Sequence, residues 1–192
     1  MPGEFLRHTP ADAVALTAQI DATRSQLAEA MTLGDSKQVL EHAGTLVAVL
    51  TAAGRELEGF SFGRDHVALA RAHATLEESA WLLHALATSA QYSNMREQAN
   101  TLFSEALGSA RHNHWRRLEH FVLHHWGRSR VEEGDLDAAK VCFEESRAIR
   151  LEIDSALVAS SDRALSELAK LRAPPSTPAS ACRVTRGEPW PK

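Results

Sequence analysis

The sequence predicts an all-α fold, and two observations carry that expectation. Pro2 and Pro10 lie at one end, and Pro174, Pro175, Pro178, Pro189 and Pro191 at the other, with none between Ala11 and Ala173. Proline lacks an amide donor and clashes with the preceding turn, so a long proline-free interior permits helix throughout. That interior is also rich in alanine and leucine, the strong helix formers, while β-branched residues are sparse and scattered. A β-sandwich, a β-barrel or a doubly wound α/β sheet is disfavoured on both counts. At 192 residues the chain suits one domain. Residues 1–8 read as a flexible leader, residues 9–172 as the helical domain and residues 173–192 as a Pro-rich disordered tail.

A first helix is expected from Thr9-Pro10, with Thr9 capping, Pro10 in the first helical position and Asp12 in the first turn. It runs to about Thr32, with Val14, Leu16, Ile20, Leu27 and Met31 near one face, and Gly34 stops it. Asp35 caps a second helix with Gln38 as its capping-box partner, and Val39, Leu40, Ala43, Leu46, Val47 and Leu50 follow helical spacing to Gly54 or Gly59. Gly63 to Gln91 is apolar at helical intervals, as one helix or as two divided at a Thr75-Glu78 capping box. Ser93-Asn94 starts the next, with Glu97 as reciprocal cap and Gly108 near its end. Further helices are expected from Trp115 to Glu133 and, after the Gly134-Asp135 turn, to Arg150. A last helix, Ser155 to Leu171, carries Leu157, Val158, Leu165, Leu168 and Leu171 inward.

A net charge of −4 provides no global field for nucleic acid or anionic membrane. No apolar run approaches the ~20 residues of a membrane span, and the first residues lack a signal peptide's apolar stretch. Cys142 and Cys182 are too few for a disulfide framework or a cysteine zinc site, so the cytoplasm is the default compartment.

The segments 94–106 and 134–146 align, placing Ala99 over Ala139, Phe103 over Phe143 and Glu105 over Glu145. Gly34-Asp35 echoes Gly134-Asp135 more weakly, with Val39 and Ala43 in the alanine and phenylalanine positions. With Gly127 before the Gly134 turn, and Ala139, Phe143 and Ser146 after it, the chain resembles a tetratricopeptide repeat (TPR), a helix–turn–helix of about 34 residues. Ala87, Ala99, Phe103 and Ala106 give a second match, and the spacing implies longer helices than usual. The resemblance implies a right-handed helical-hairpin array, a TPR-like α-solenoid of about three hairpins with the last helix as a cap. The N-terminal hairpin lacks a cap, leaving homodimerisation or a partner there open.

In such arrays the first helix of each hairpin lines a concave face. The resemblance then assigns the groove to Trp81, His84, Thr88, Gln91 and Tyr92 in one hairpin and to Phe121, His124, His125, Arg128 and Glu132 in the next. Trp, Tyr and Arg are favoured interface anchors, so the expected function is a non-enzymatic scaffold or adaptor holding a protein or peptide. The resemblance also permits a sensory module of a bacterial signalling or transcription system.

Among ten histidines, His120 and His124 share a spacing that metal sites use, with His84 or Glu132 as a third ligand. No glutamate of the HExxH type accompanies them, so no metal or other cofactor is assigned. Arg111, Arg116, Arg117, Arg128 and Arg130 with Trp115 and Trp126 are largely neutralised by Glu105, Glu119, Glu132 and Glu133, against nucleic-acid binding. Cys142 has no ordered base beside it and reads as packing, leaving no catalytic residue.

Overall fold

The computed structural model describes residues 4–7, 12–153 and 155–172. Among them are α1 (Ala13–Leu33), α2 (Ser36–Ala52), α3 (Glu56–Arg64), α4 (Val67–Ala72), α5 (Glu77–Tyr92), α6 (Arg96–His112), α7 (Arg116–Glu133), α8 (Leu136–Ile153), a 3-10 turn (Ser155–Leu157) and α9 (Val158–Arg172). The described residues contain no strand. The expected tail, 173–192, lies outside them, as do Thr9 and Pro10.

Helix ends follow local chemistry. Asp12 is itself the cap of α1, accepting from the Val14 and Ala15 amides at 2.9 and 3.0 Å, so it stands before the helix and not in its first turn. Asp35 caps α2 through the Lys37 and Gln38 amides, and the Gln38 amide returns to the Asp35 carboxylate at 3.0 Å. Gly34 and Gly134 end α1 and α7 at φ 69° and 84°, the left-handed conformation that glycine adopts without a steric cost.

Several expectations are corrected. The face of α1 that goes inside is Ile20, Thr23, Leu27 and Ala30, whereas Val14 and Met31 are exposed. That set keeps the helical three- and four-residue step; Val14 falls off it, while Met31 shares the face but stands in the last turn of α1, where it is exposed. Gly59 does not end α2, which stops at Ala52, but lies within a separate helix, α3. The stretch from Gly63 is broken into the end of α3, α4 and α5, and α5 starts at Glu77 without a side-chain cap from Thr75. Asn94 is a left-handed turn residue between α5 and α6, and α6 continues past Gly108 to His112. Leu171 is exposed, so α9 buries Ser161, Ala164 and Leu168 instead.

Packing runs sequentially. α1 lies on α2, α2 on α3 and α5, α5 on α6 and α7, α7 on α6 and α8, and α8 on α9. One continuous core extends from Ile20 in α1 to Ile149 in α8, and fully burying each leucine in it contributes ~1.5–3 kcal/mol. Ala87, Ala99, Phe103, Ala106, Ala139, Phe143 and Ser146 are all fully buried at these helix contacts, and the Phe143 ring packs on Gly127. Gly44 brings α2 against α5, since a Cβ there would meet the Leu82 Cα at 3.2 Å.

The first expected hairpin has a different register. α2 stands beside α5, while α3 covers both from the side of Val47, Leu50 and Leu86. α2 therefore packs on both α1 and α5 and shares a groove with α5 and α7.

Residues 4–7 correct the expectation of a flexible leader across 1–8. Phe5 is buried with Val131, Ala139, Phe143, Ala164 and Leu168 in a second, smaller core between α7, α8 and α9.

Candidate functional site

α2, α5 and α7 line a groove of about 830 Å³. α2 supplies Glu41, Thr45, Ala48 and Thr51; α5 supplies Glu77, Glu78, Trp81, His84, Thr88 and Tyr92; and α7 supplies Arg117, Phe121, His125 and Arg128. Acidic residues gather where α2 and α5 begin, and Tyr92 and Arg128 stand at the far end. The floor is aromatic. Trp81 lies 5.5 Å from Phe121 and 5.6 Å from His84, and His84 lies 4.7 Å from His125, between ring centroids. The Trp81 indole N–H donates to Glu77 at 3.1 Å, which fixes the ring across the groove.

His84 Nε2 and His125 Nδ1 are 3.0 Å apart, and Thr88 Oγ1 is 3.2 Å from the same His125 nitrogen. The Thr88 hydroxyl also lies within donating distance of the His84 carbonyl, so His84, Thr88 and His125 form one hydrogen-bonded cluster. Burial, aided by the Arg128 charge, pulls His84 down to about 3. Burial, with His84 and Arg128 next to it, also holds His125 well below the ordinary imidazole range. At neutral pH the groove thus offers neutral imidazoles and apolar faces beside the charged side chains of Glu41, Glu77, Glu78, Arg117 and Arg128.

Seven of the ten sequence-assigned groove residues line this space: Trp81, His84, Thr88, Tyr92, Phe121, His125 and Arg128. Three do not. Gln91 is fully buried behind the groove wall. His124 faces α8, with its Nδ1 3.2 Å from Arg150 and its ring 5.5 Å from Phe143; burial, then Arg150, pulls it down to about 3. Glu132 is sealed beneath residues 4–7, its side chain 1% exposed.

At that second location Glu132 receives three donors. Arg7 forks onto it, with Nε and Nη2 each 2.8 Å from a carboxylate oxygen; Arg96 reaches it at 3.0 Å and the Phe5 amide at 3.2 Å. Burial on its own pushes this carboxylate up, but Arg7 and the Phe5 amide outweigh it and hold Glu132 below its usual value. The Phe5 carbonyl accepts from Arg128 Nε at 3.3 Å, and the Phe5 ring lies 6.1 Å from Phe143. Tyr92 lies between the two arginines, with Arg7 4.6 Å and Arg128 5.7 Å from its ring centre.

Sequence reading missed the α2 wall, because it drew groove residues from the segments of α5 and α7 alone, and missed Phe5, Arg7 and Arg96, which no local pattern marks. His120 and His124 both direct Nδ1 at the Arg150 guanidinium, which occupies the side where a metal reading needs an ion. Among the described residues no group of three His, Cys, Asp or Glu side chains is arranged to hold a metal. Arg111 pairs with Glu119 and Glu145, Arg116 with Glu119 and Glu152, and Arg130 with Glu133. No helix among the described residues is long and apolar enough to cross a membrane. Compared with known proteins, the chain matches no family model, and no curated protein is significantly similar to it.

Proposed function

We propose that the chain is a TPR-like α-solenoid acting as a non-enzymatic adaptor, which takes an extended peptide or a helix of a partner protein into the groove of α2, α5 and α7. In this reading α2 with α3–α4, α5 with α6, and α7 with α8 are the three hairpins, α9 caps one end and α1 covers the other. Two ion pairs support the repeat. Arg71–Glu105 recurs as Arg111–Glu145, shifted along the chain by the same step that separates Phe103 from Phe143. The left-handed turn residues Gly34, Gly54, Asn94, His114 and Gly134 also keep an even spacing, with one step missing where α4 meets α5.

The observation that carries the function is the groove itself, open and floored by Trp81 and Phe121, with Arg128 at one end and Glu77, Glu78 and Arg117 at the other. Aromatic faces offer contact area at a small entropy cost, and the charged side chains offer partners for polar groups of a bound chain. Ala48 is exposed on the groove side of α2, so Ala48→Arg fills the groove without entering the core. A random peptide library selected in parallel on wild type and on Ala48→Arg tests the reading. Enrichment lost in the variant supports it; the same peptides enriched on both chains overturn it.

A further inference from the structure

We propose that the seat of residues 4–7 is a peptide-recognition site in its own right. It selects a segment bent at its middle residue, with an aromatic residue and an arginine two positions later, and Phe5-Leu6-Arg7 is its internal ligand. A polypeptide of the same chemistry on another molecule displaces that ligand. The seat touches the groove through Tyr92 and Arg128, but its contacts stand without the groove reading.

Three features separate this seat from ordinary chain packing. It reads main chain and side chain separately. The Phe5 N–H goes to Glu132 and the Phe5 C=O to Arg128, which fixes the register of a bound chain. The side chains then set specificity. The aromatic ring enters the apolar pocket of Val131, Ala139, Phe143, Ala164 and Leu168, and the arginine forks onto Glu132. A carboxylate this buried demands a cation, and a planar fork satisfies both oxygens where an ammonium reaches only one.

The segment is also shaped by the seat. Leu6 has φ 50°, a left-handed conformation that costs a leucine free energy, so its contacts with the seat impose this bend. Finally, the partners of the segment are remote. Among the described residues, apart from a contact between Arg7 and Glu4, its hydrogen bonds reach α7 and the end of α5, a pattern that a separate peptide reproduces.

The test uses the full chain carrying Phe5→Ala/Arg7→Ala, which vacates the seat, and a fluorescent peptide with the sequence of residues 3–8. Anisotropy should show binding to the vacated chain and at least roughly tenfold weaker binding to wild type, whose seat is filled. An Arg→Lys peptide should lose roughly tenfold, Glu132→Gln in the vacated chain should abolish binding, and Ala48→Arg should leave it unchanged. A helical, vacated chain that ignores the peptide at millimolar concentration overturns the proposal. So does equal binding of the Lys and Arg peptides. A wild-type dimer that vanishes in the double variant would mean exchange of segments between copies, and overturns the internal assignment. If the double variant loses its helical signal, hydrogen exchange at the wild-type Phe5 amide decides. Acceleration of roughly tenfold in millimolar peptide supports exchange of ligands, and an unchanged rate refutes it.

Discussion

The Phe143 ring lies over the bare Cα of Gly127: a Cβ at residue 127 would stand 2.7 Å from Phe143 Cε1 and 2.9 Å from Cδ1. The two residues lie on consecutive helices, and the missing side chain sets how closely α7 and α8 approach. Gly127→Ala is therefore expected to destabilise by about 1–3 kcal/mol despite alanine's better helix propensity, because a fully buried ring must move. In a Phe143→Leu background the same substitution should cost less. A double-mutant cycle by urea unfolding checks this, and additive effects would contradict the contact.

Acid should unfold the protein from a comparatively high pH. His84 and His124 are held neutral, each near 3, while in the unfolded chain each takes a proton near 6.5. Between these values the unfolded state binds more protons, so stability rises with pH and is lost as pH falls below 6.5. Each buried imidazole accounts for about 2 kcal/mol between pH 6.5 and 5. Urea unfolding across that range should show this slope, and His84→Gln, which cannot titrate, should reduce it. A flat profile for wild type would contradict neutral burial.

Glu132 acts over a lower range. Its carboxyl is held below the ordinary 4.5, so its contribution is complete above that value and disappears as pH falls through the lowered one. Removing Arg7 leaves Glu132 with Arg96 as its remaining fully charged partner in a nearly sealed site. Arg7→Ala should cost about 2–3 kcal/mol in unfolding experiments. Adding Glu132→Gln should recover part of that loss. If the two losses simply add, the fork is not the interaction that matters.

Cys142 is expected to be slow toward electrophiles. Burial pushes its thiol up to about 11 from 9.0, with Glu145 adding to the shift. At neutral pH its thiolate fraction falls about a hundredfold below that of an unshifted thiol. Peptide-resolved mass spectrometry of iodoacetamide labelling should show Cys142 modified far more slowly than free cysteine at the same pH. Labelling at the free-cysteine rate would contradict its environment.

Much of the helical architecture was legible because its signals are local. Proline exclusion, Asp35 with Gln38, and Gly134 with Asp135 act within one turn of the chain, and they mark the α1–α2 and α7–α8 boundaries. The Phe103 and Phe143 positions were legible because close helix packing demands a small residue opposite a large one. The packing of α2 against α5 was not. That depends on Gly44 meeting the Leu82 backbone, a contact between helices whose sequences show no complementarity. Gln91, His124 and Glu132 were misplaced because the helical step locates a side chain on a face but not which neighbour covers that face. Phe5 and Arg7 carry no signal at all in a polar leader, since their partners lie across the whole domain.

Arg7 also donates to the Gln91 and Tyr92 carbonyls at 3.4 and 3.2 Å, the last two of α5. It thus acts as a C-terminal cap supplied from far away in sequence, placing a cation at the negative end of the helix dipole. The final turn of α5 carries Thr88 and Tyr92 into the groove. The fraying of that wall is therefore governed by a four-residue segment that never enters the groove.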